Sequence, residues 1–457
     1  MTARNILYVT EPTAPVAAVA GSGFTHLVLS QCHIEQNPAL QVFRIINGPV
    51  SSIRTLFRAS DFSQWTAALD AGTFPQSLRN ASSQAFSDAG EPLSANVTVT
   101  VNTAGAAWTL TDNASGNSFP MQVDPNGTFI SFHGAPLTTI TNTSTVASYK
   151  ASLDNGQLPA ALQQAAGLQG PNANYTVTQE PAQITKLPQW LITDTTSGFT
   201  WFVGIGSQGS PDVMVVRNYQ DFFSPNLGAF VASLGSVVAA GIPVFVSLGG
   251  WADDTTWAIM GSDTQQSLVV VAELLDTLGG SGVDYDWEGG PPSNVGAMTA
   301  FTLGLHAGMP AAMCTICPYV DTISTLLQVW QDVGFSGIAW ANCMNYSPDN
   351  NLPSGVNSTF VMPLANAFPT ILGSGPAAAP YVTAGFTATG LDSQQFASLV
   401  AEVVDGGTGW PPYPNLGGAF TYAFDFNVPN VSGALQTWAS AVDIALSGGG
   451  ADQYRAA

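Results

Sequence analysis

The five residues from 284 to 288, Asp-Tyr-Asp-Trp-Glu, constrain the fold of this chain more than any other stretch. Read as a β-strand, alternation turns Asp284, Asp286 and Glu288 to one side, with Val283, Tyr285 and Trp287 on the other. Gly282 precedes the run and Gly289, Gly290, Pro291 and Pro292 close it, which bounds a strand. Three carboxylates on one face of an otherwise apolar strand repel one another. At least one is therefore expected to hold its proton near neutral pH. An acidic strand end that is merely solvated is the alternative reading.

Composition narrows what such a carboxylate face could serve. The chain has 457 residues, enough for one large domain and one or two small ones, and no apolar run approaches membrane-spanning length. Lys and Arg number nine against thirty Asp and Glu, and none lies between Arg217 and Arg455. That half of the chain cannot supply an arginine clamp, a Schiff-base lysine or a phosphate-binding lysine. A nucleic-acid partner is not expected, because there is no basic footprint to neutralise phosphates. A neutral or cationic ligand suits such a surface. Low Lys is also what selection for solubility produces.

Cys314 and Cys317 form a C-x-x-C, with Cys32 and Cys343 elsewhere, but no second pair or nearby His pair accompanies it. Buried, reduced cysteines in a strand are expected instead. His26, His33, His133 and His306 show no ligand spacing, so neither a metal nor a cofactor is assigned. The start of the sequence shows no h-region of a cleavable signal. The compartment stays open, with extracellular action by another export route compatible.

Apolar runs at 6–10 and 25–31 read as two strands, joined by a small-residue connection at 14–21. A helix-like segment at 226–240 leads to a strand at 243–248. Further strands are expected at 282–288, 312–319, 337–346, 381–386 and 418–425, with helices such as 264–278, 295–307 and 393–404 between them. Eight parallel strands make this an α/β protein, a (β/α)8 TIM barrel. Residues 1–50 and 216–457 supply about 290 positions, near the size such a barrel needs.

Residues 51–215 interrupt the alternation and carry an internal repeat. Leu69-Asp70-Ala71-Gly72-Thr73-Phe74-Pro75 recurs as Leu153-Asp154-Asn155-Gly156-Gln157-Leu158-Pro159, and Trp108-Thr109-Leu110-Thr111-Asp112 as Trp190-Leu191-Ile192-Thr193-Asp194. A period of about 80 residues indicates two tandem α+β modules, about 51–135 and 136–215, each a broken helix followed by alternating strands. An insertion after the second barrel strand leaves from the face where barrel active sites are built. The modules could wall a substrate groove or recruit a protein or glycan partner; inert decoration is the alternative.

At 281–288 the chain resembles the family 18 glycoside hydrolases, the chitinases and endo-β-N-acetylglucosaminidases, whose fourth barrel strand carries D-x-x-D-x-D-x-E. Three further segments agree in order. Ser247-Leu248-Gly249-Gly250-Trp251 is similar to the third-strand S-x-G-G. Met344-Asn345-Tyr346 is similar to the sixth-strand M-x-Y, and 417–425 to the eighth-strand segment. The resemblance implies retaining, substrate-assisted cleavage of β-1,4-linked N-acetylglucosamine polymers, for which a protonated carboxylic acid is the general acid. Glu288 would be that acid, and later the base. Asp286 would orient the substrate acetamide, and Asp284, deeper, would share a proton or hydrogen bond with Asp286. Tyr346 would bind the acetamide carbonyl. Met344 would pack beneath the sugar, and Asn342 shares its face. Trp251, Tyr422 and Asp425 complete the implied substrate contacts. Trp340, Trp410 and Tyr413 are further candidates for stacking on pyranose faces.

Three positions depart from the family pattern. Ser281 replaces its first Asp, Ser347 follows M-x-Y in place of Asp or Asn, and Tyr422 replaces the eighth-strand Trp. The link from 386 to 417 leaves no room for the extra domain of many processive chitinases, so a shallow groove is expected unless the modules deepen it. A chitinase-like glycosidase is the leading reading. An N-glycan endoglycosidase, or a catalytically silent carbohydrate-binding or toxin-associated relative, are the alternatives.

Overall fold

Eight parallel strands close into a barrel: β1 (Arg4–Val9), β2 (His26–Gln36), β3 (Val244–Gly250), β4 (Gly282–Trp287), β5 (Met313–Ile316), β6 (Ile338–Met344), β7 (Val382–Thr387) and β8 (Gly418–Tyr422). Closure comes from β1, which pairs with β2 (Ile6 opposite His26) and with β8 (Arg4 opposite Gly418). The computed structural model describes residues 3–10, 14–36, 40–47, 51–88, 92–180, 189–195, 200–205, 214–221, 228–250, 253, 255–288, 294–347, 350–422, 424–426 and 428–448.

Strand alternation sorts the side chains into two cores. Val283, Tyr285 and Trp287 face outward into the layer between strands and helices. Ile6, Tyr8, Val28, Phe245, Cys317, Trp340, Met344 and Phe420 fill the lumen. The helices carry the expected punctuation. Thr264–Leu278 is capped by Asp263, which accepts from the Gln266 N–H, and stops at left-handed Gly279. Ser393–Asp405 begins with an Asp392/Gln395 capping box. The last helix, Val431–Leu446, is tied back to β1, where the Asn5 amide donates to Ala439 O at 2.9 Å and Asp443 Oδ1 at 3.0 Å.

Several boundaries differ from the sequence reading. β5 stops at Ile316 because Pro318 cannot donate to a ladder. The sixth strand ends at Met344, and Tyr346–Ser347 pairs separately with Asn350–Asn351. The helix expected at 226–240 is Gly228–Ala239, residues 226–227 lying outside the described set. β2 runs five residues past its expected end, and that extension pairs antiparallel with Thr128–Ile140. The barrel sheet thereby continues through Met214–Asp221, Thr200–Ile205 and Gln189–Asp194 to Tyr175–Glu180. Leu40–Asn47, expected with the barrel, instead pairs with Ser51–Arg58 and Ser118–Asp124 in a separate five-stranded sheet with Ala107–Asp112 and Val97–Thr103.

Helices Ala59–Asp70 and Gln76–Asp88 precede the strands of the first copy, and Thr143–Asp154 and Ala160–Ala165 those of the second. Trp108 and Trp190 are wholly buried in the two corresponding cores. The first copy is fastened to the barrel by buried Arg44, which donates to Glu273 Oε1 at 2.9 Å on helix Thr264–Leu278, to Asp124 Oδ2 at 3.1 Å and to Thr128 O at 2.9 Å. Among the described residues no helix is long and apolar enough to cross a membrane.

Candidate active site

β4 carries a column of carboxylates up the lumen toward the C-terminal rim. Asp284 lies deepest, wholly buried, and accepts four hydrogen bonds. Thr315 Oγ1 (2.5 Å) and Asn342 Nδ2 (3.0 Å) donate to Oδ1, and Tyr8 Oη (2.8 Å) and Ser247 Oγ (3.3 Å) to Oδ2. These donors come from β1, β3, β5 and β6, so the carboxylate is clasped from around the barrel wall. Burial pushes the Asp284 carboxyl up, and the four donors pull it back without cancelling the rise. Burial also holds the Tyr8 hydroxyl well above its usual range, with Asp284 adding to the effect.

Asp286, one step higher and 3% exposed, is bonded quite differently. Its Oδ1 is buried without a hydrogen-bond partner. Burial, then the neighbouring charges of Glu288 and Asp284, push this carboxyl well above the ordinary carboxylate range. The expected hydrogen bond between Asp284 and Asp286 does not form: both Asp284 oxygens are taken by the surrounding donors.

The Gly249-Gly250 pair makes room for this arrangement. Both have positive φ, +108° and +105°. A Cβ on Gly249 would lie 2.4 Å from the Asp286 carbonyl oxygen, and one on Gly250 2.2 Å from Gln31 Cδ. Glu288 follows the end of β4 and is half-buried at the rim. Nearby, Asp253 pairs with His33 Nδ1 at 2.5 Å and accepts from the Thr256 N–H at 3.1 Å. Burial alone would raise the Asp253 carboxyl, but His33 and Thr256 bring it below its ordinary value.

The opposite wall is aromatic. Tyr346 and Tyr422 stack at 5.5 Å with an interplanar angle of 15°. Met344 lies in the same lumenal cluster, and burial raises the Tyr346 hydroxyl well above its usual range. Asn342 is a correction to the sequence reading. Its Nδ2 is given to Asp284 and its Oδ1 accepts from Trp340 Nε1 (2.8 Å) and Thr383 Oγ1 (2.9 Å), so it braces the column from below. Asp425 lies past β8 and is exposed. Trp251 falls outside the described residues.

The three further stacking candidates do not reach the site. Trp340 sits at the closed end of the lumen, with the Arg4 guanidinium 4.2 Å from its ring and His26 against it. Burial, with Arg4 nearby, lowers His26 to about 4. Tyr413 is buried in the outer layer and bonds Asn357, and Trp410 packs on that same layer. Cys314 faces the outer layer and Cys317 the lumen, so the C-x-x-C points to opposite sides of the wall. Tyr8 and Thr315 are the residues that sequence reasoning missed. Lumen-facing alternation, applied to β1 and β5 as it was to β4, is the signal that singles them out.

No protein-family model matches the chain, and no curated protein matches it. Among solved structures it is similar to the chitinase ChiC from Aspergillus fumigatus, at 16% identity over 46% of this chain and 74% of that one, with a TM-score of 0.33. It is similar to a chitinase from Chromobacterium violaceum at 14% identity, over 53% of this chain and 89% of that one, with a TM-score of 0.34. The chitinase-like agglutinin RobpsCRA from Robinia pseudoacacia gives 14% identity, over 49% and 88%, with a TM-score of 0.33. The fold rests on the strand order and closure of the barrel itself. The chain is a closed (β/α)8 barrel that, in its motifs on β3, β4, the sixth-strand segment and β8, resembles the family 18 glycoside hydrolases.

Proposed function

We propose that this chain is a retaining glycoside hydrolase that cleaves β-1,4-linked N-acetylglucosamine polymers, with Glu288 as general acid and base. The observation that carries the proposal is Asp286: a buried carboxyl between two others that push it well above the ordinary carboxylate range, with one oxygen lacking a partner. Such groups titrate as a set. In the reactive complex the retained proton sits on Glu288, at the rim, with Asp286 ionised beneath it. Glu288 gives that proton to the glycosidic oxygen as the C1–O bond breaks. The acetamide carbonyl oxygen of the same sugar closes on C1 to form an oxazolinium ion. Asp286 Oδ1 accepts the acetamide N–H, and its charge offsets the cation. The Tyr346 hydroxyl donates to the acetamide oxygen, and Met344 packs under the ring. Water, deprotonated by Glu288, then attacks C1 from the face the leaving group vacated, and the bond from C1 to the acetamide oxygen breaks to restore the acetamide.

Two displacements at C1 return the β configuration. Proton NMR of the first products released from N-acetylglucosamine oligomers tests this, with β-anomer expected before mutarotation. An initial α-anomer would contradict the acetamide mechanism, and binding without cleavage would leave a carbohydrate-binding protein.

A further inference from the structure

We infer that Cys317 is a positioning residue that keeps Oδ1 of Asp286 open for a ligand N–H, by presenting a thiol where a hydroxyl would close it. For its functional meaning the inference rests on the proposed reaction; for its substance it rests on the register of three strands. At the lower level of the column, Ser247 of β3 and Thr315 of β5 lie opposite Asp284 on its two sides. Both donate to it, Ser247 Oγ at 3.3 Å and Thr315 Oγ1 at 2.5 Å. Two residues further along each strand, the same places fall to Gly249 and Cys317. Gly249 lies opposite Asp286 on β3. On the other side the Cys317 N–H donates to Tyr285 O at 2.7 Å, which carries the β4–β5 register one step past Ile316 and sets Cys317 beside Asp286.

Neither residue supplies a hydroxyl. Gly249 has no side chain and has no room for one, since a Cβ there would lie 2.4 Å from the Asp286 carbonyl oxygen. Cys317 faces the lumen and is 1% exposed, and a thiol is a weak donor. Oδ1 of Asp286 is left buried without a partner. An unmet buried acceptor is costly, and an incoming N–H recovers that cost. Burial, and then the charges of Asp286 and Asp284, hold the Cys317 thiol well above its usual range, so it stays neutral and adds no further charge. Glu288, Asp253 and the Tyr8 and Tyr346 hydroxyls are the other titratable groups around the pair. An acylamino sugar suits this acceptor, because its N–H is a donor that carries no charge.

The test pairs a titration with binding in the full chain. Cys317→Ser places a hydroxyl where Thr315, one level down, shows that a hydroxyl reaches its neighbouring carboxylate. Cys317→Thr does the same should Ser disturb folding, and Cys317→Ala removes the sulfur without adding a donor. The Asp286 carboxyl is followed by carbon-13 NMR. Binding of N-acetylglucosamine oligomers is measured by calorimetry, with Glu288→Gln added to stop cleavage. A new hydroxyl bond favours the carboxylate, so the Asp286 titration should fall by about one unit, a tenfold change in its proton equilibrium. The same bond competes with the ligand, so oligomer affinity should fall about tenfold, while Cys317→Ala keeps both values near those of wild type. An Asp286 titration that stays in place in both hydroxyl variants overturns the inference. So does an oligomer affinity that survives the new bond, or one that falls equally in Cys317→Ala. A titration that falls while neither wild type nor variant binds or cleaves oligomers upholds the Cys317 assignment and refutes the glycosidase reading instead.

Discussion

Asn342 donates its side-chain N–H to Asp284 Oδ1 at 3.0 Å, joining β6 to the deepest carboxylate of β4. A residue that alternation alone would offer to the sugar is spent holding a charge in a cavity with no cation beside it. Thr315 does the same from β5 at 2.5 Å. Thr315→Val should therefore raise the Asp284 carboxyl further, moving the acid limb of the rate profile upward and lowering kcat/KM by about tenfold. A pH profile identical to wild type would show that this bond does not tune the column.

The column also sets how stability depends on pH. The folded-state pKa of Asp286 lies well above its ordinary 3.8, so the folded protein binds the proton more tightly than the unfolded chain. Stability on this account is fullest below that ordinary value and is lost as pH rises through the folded one. Asp253 acts oppositely: lowered in the fold, it stabilises above 3.8, and that contribution disappears as pH falls through its folded value. Asp286→Asn should melt higher than wild type at pH 8, by a few degrees, and match it near pH 4. Thermal melts across that range check both ends.

Tyr422 stacks on Tyr346 at 5.5 Å, and its contribution is geometric. Tyr422→Ala should lower kcat/KM by about two- to tenfold, in keeping with about 0.5–1.5 kcal/mol for an aromatic pair. Tyr422→Phe should retain nearly full activity in steady-state kinetics, because the ring does the holding.

Arg44 is buried with Asp124 and Glu273 across the junction between the first inserted module and the barrel. Arg44→Met leaves two carboxylates buried without their cation and should destabilise by about 3–5 kcal/mol in urea unfolding. Adding Glu273→Gln should recover part of that loss, since one uncompensated charge is then removed.

The barrel was legible because its strands are short apolar runs at regular spacing. The carboxylate column was legible from alternation along a single strand. The partners of that column were not, because they arrive from other strands whose register a linear reading does not give. Thr315 is marked only by its place on a lumen-facing strand and belongs to no motif. The exchange of Leu40–Asn47 into the inserted sheet was hidden for the same reason: an apolar strand does not reveal which edge it will join. Trp340 misled because an aromatic residue on a lumen-facing strand fits either end of a barrel.

The most direct test of the central claim is mass spectrometry of N-acetylglucosamine oligomers incubated with wild type and with Glu288→Gln. The account predicts shorter oligomers from wild type, and from the variant a rate lower by about 10²–10⁴-fold with binding retained. Equal cleavage by both proteins, or none by wild type, would contradict it.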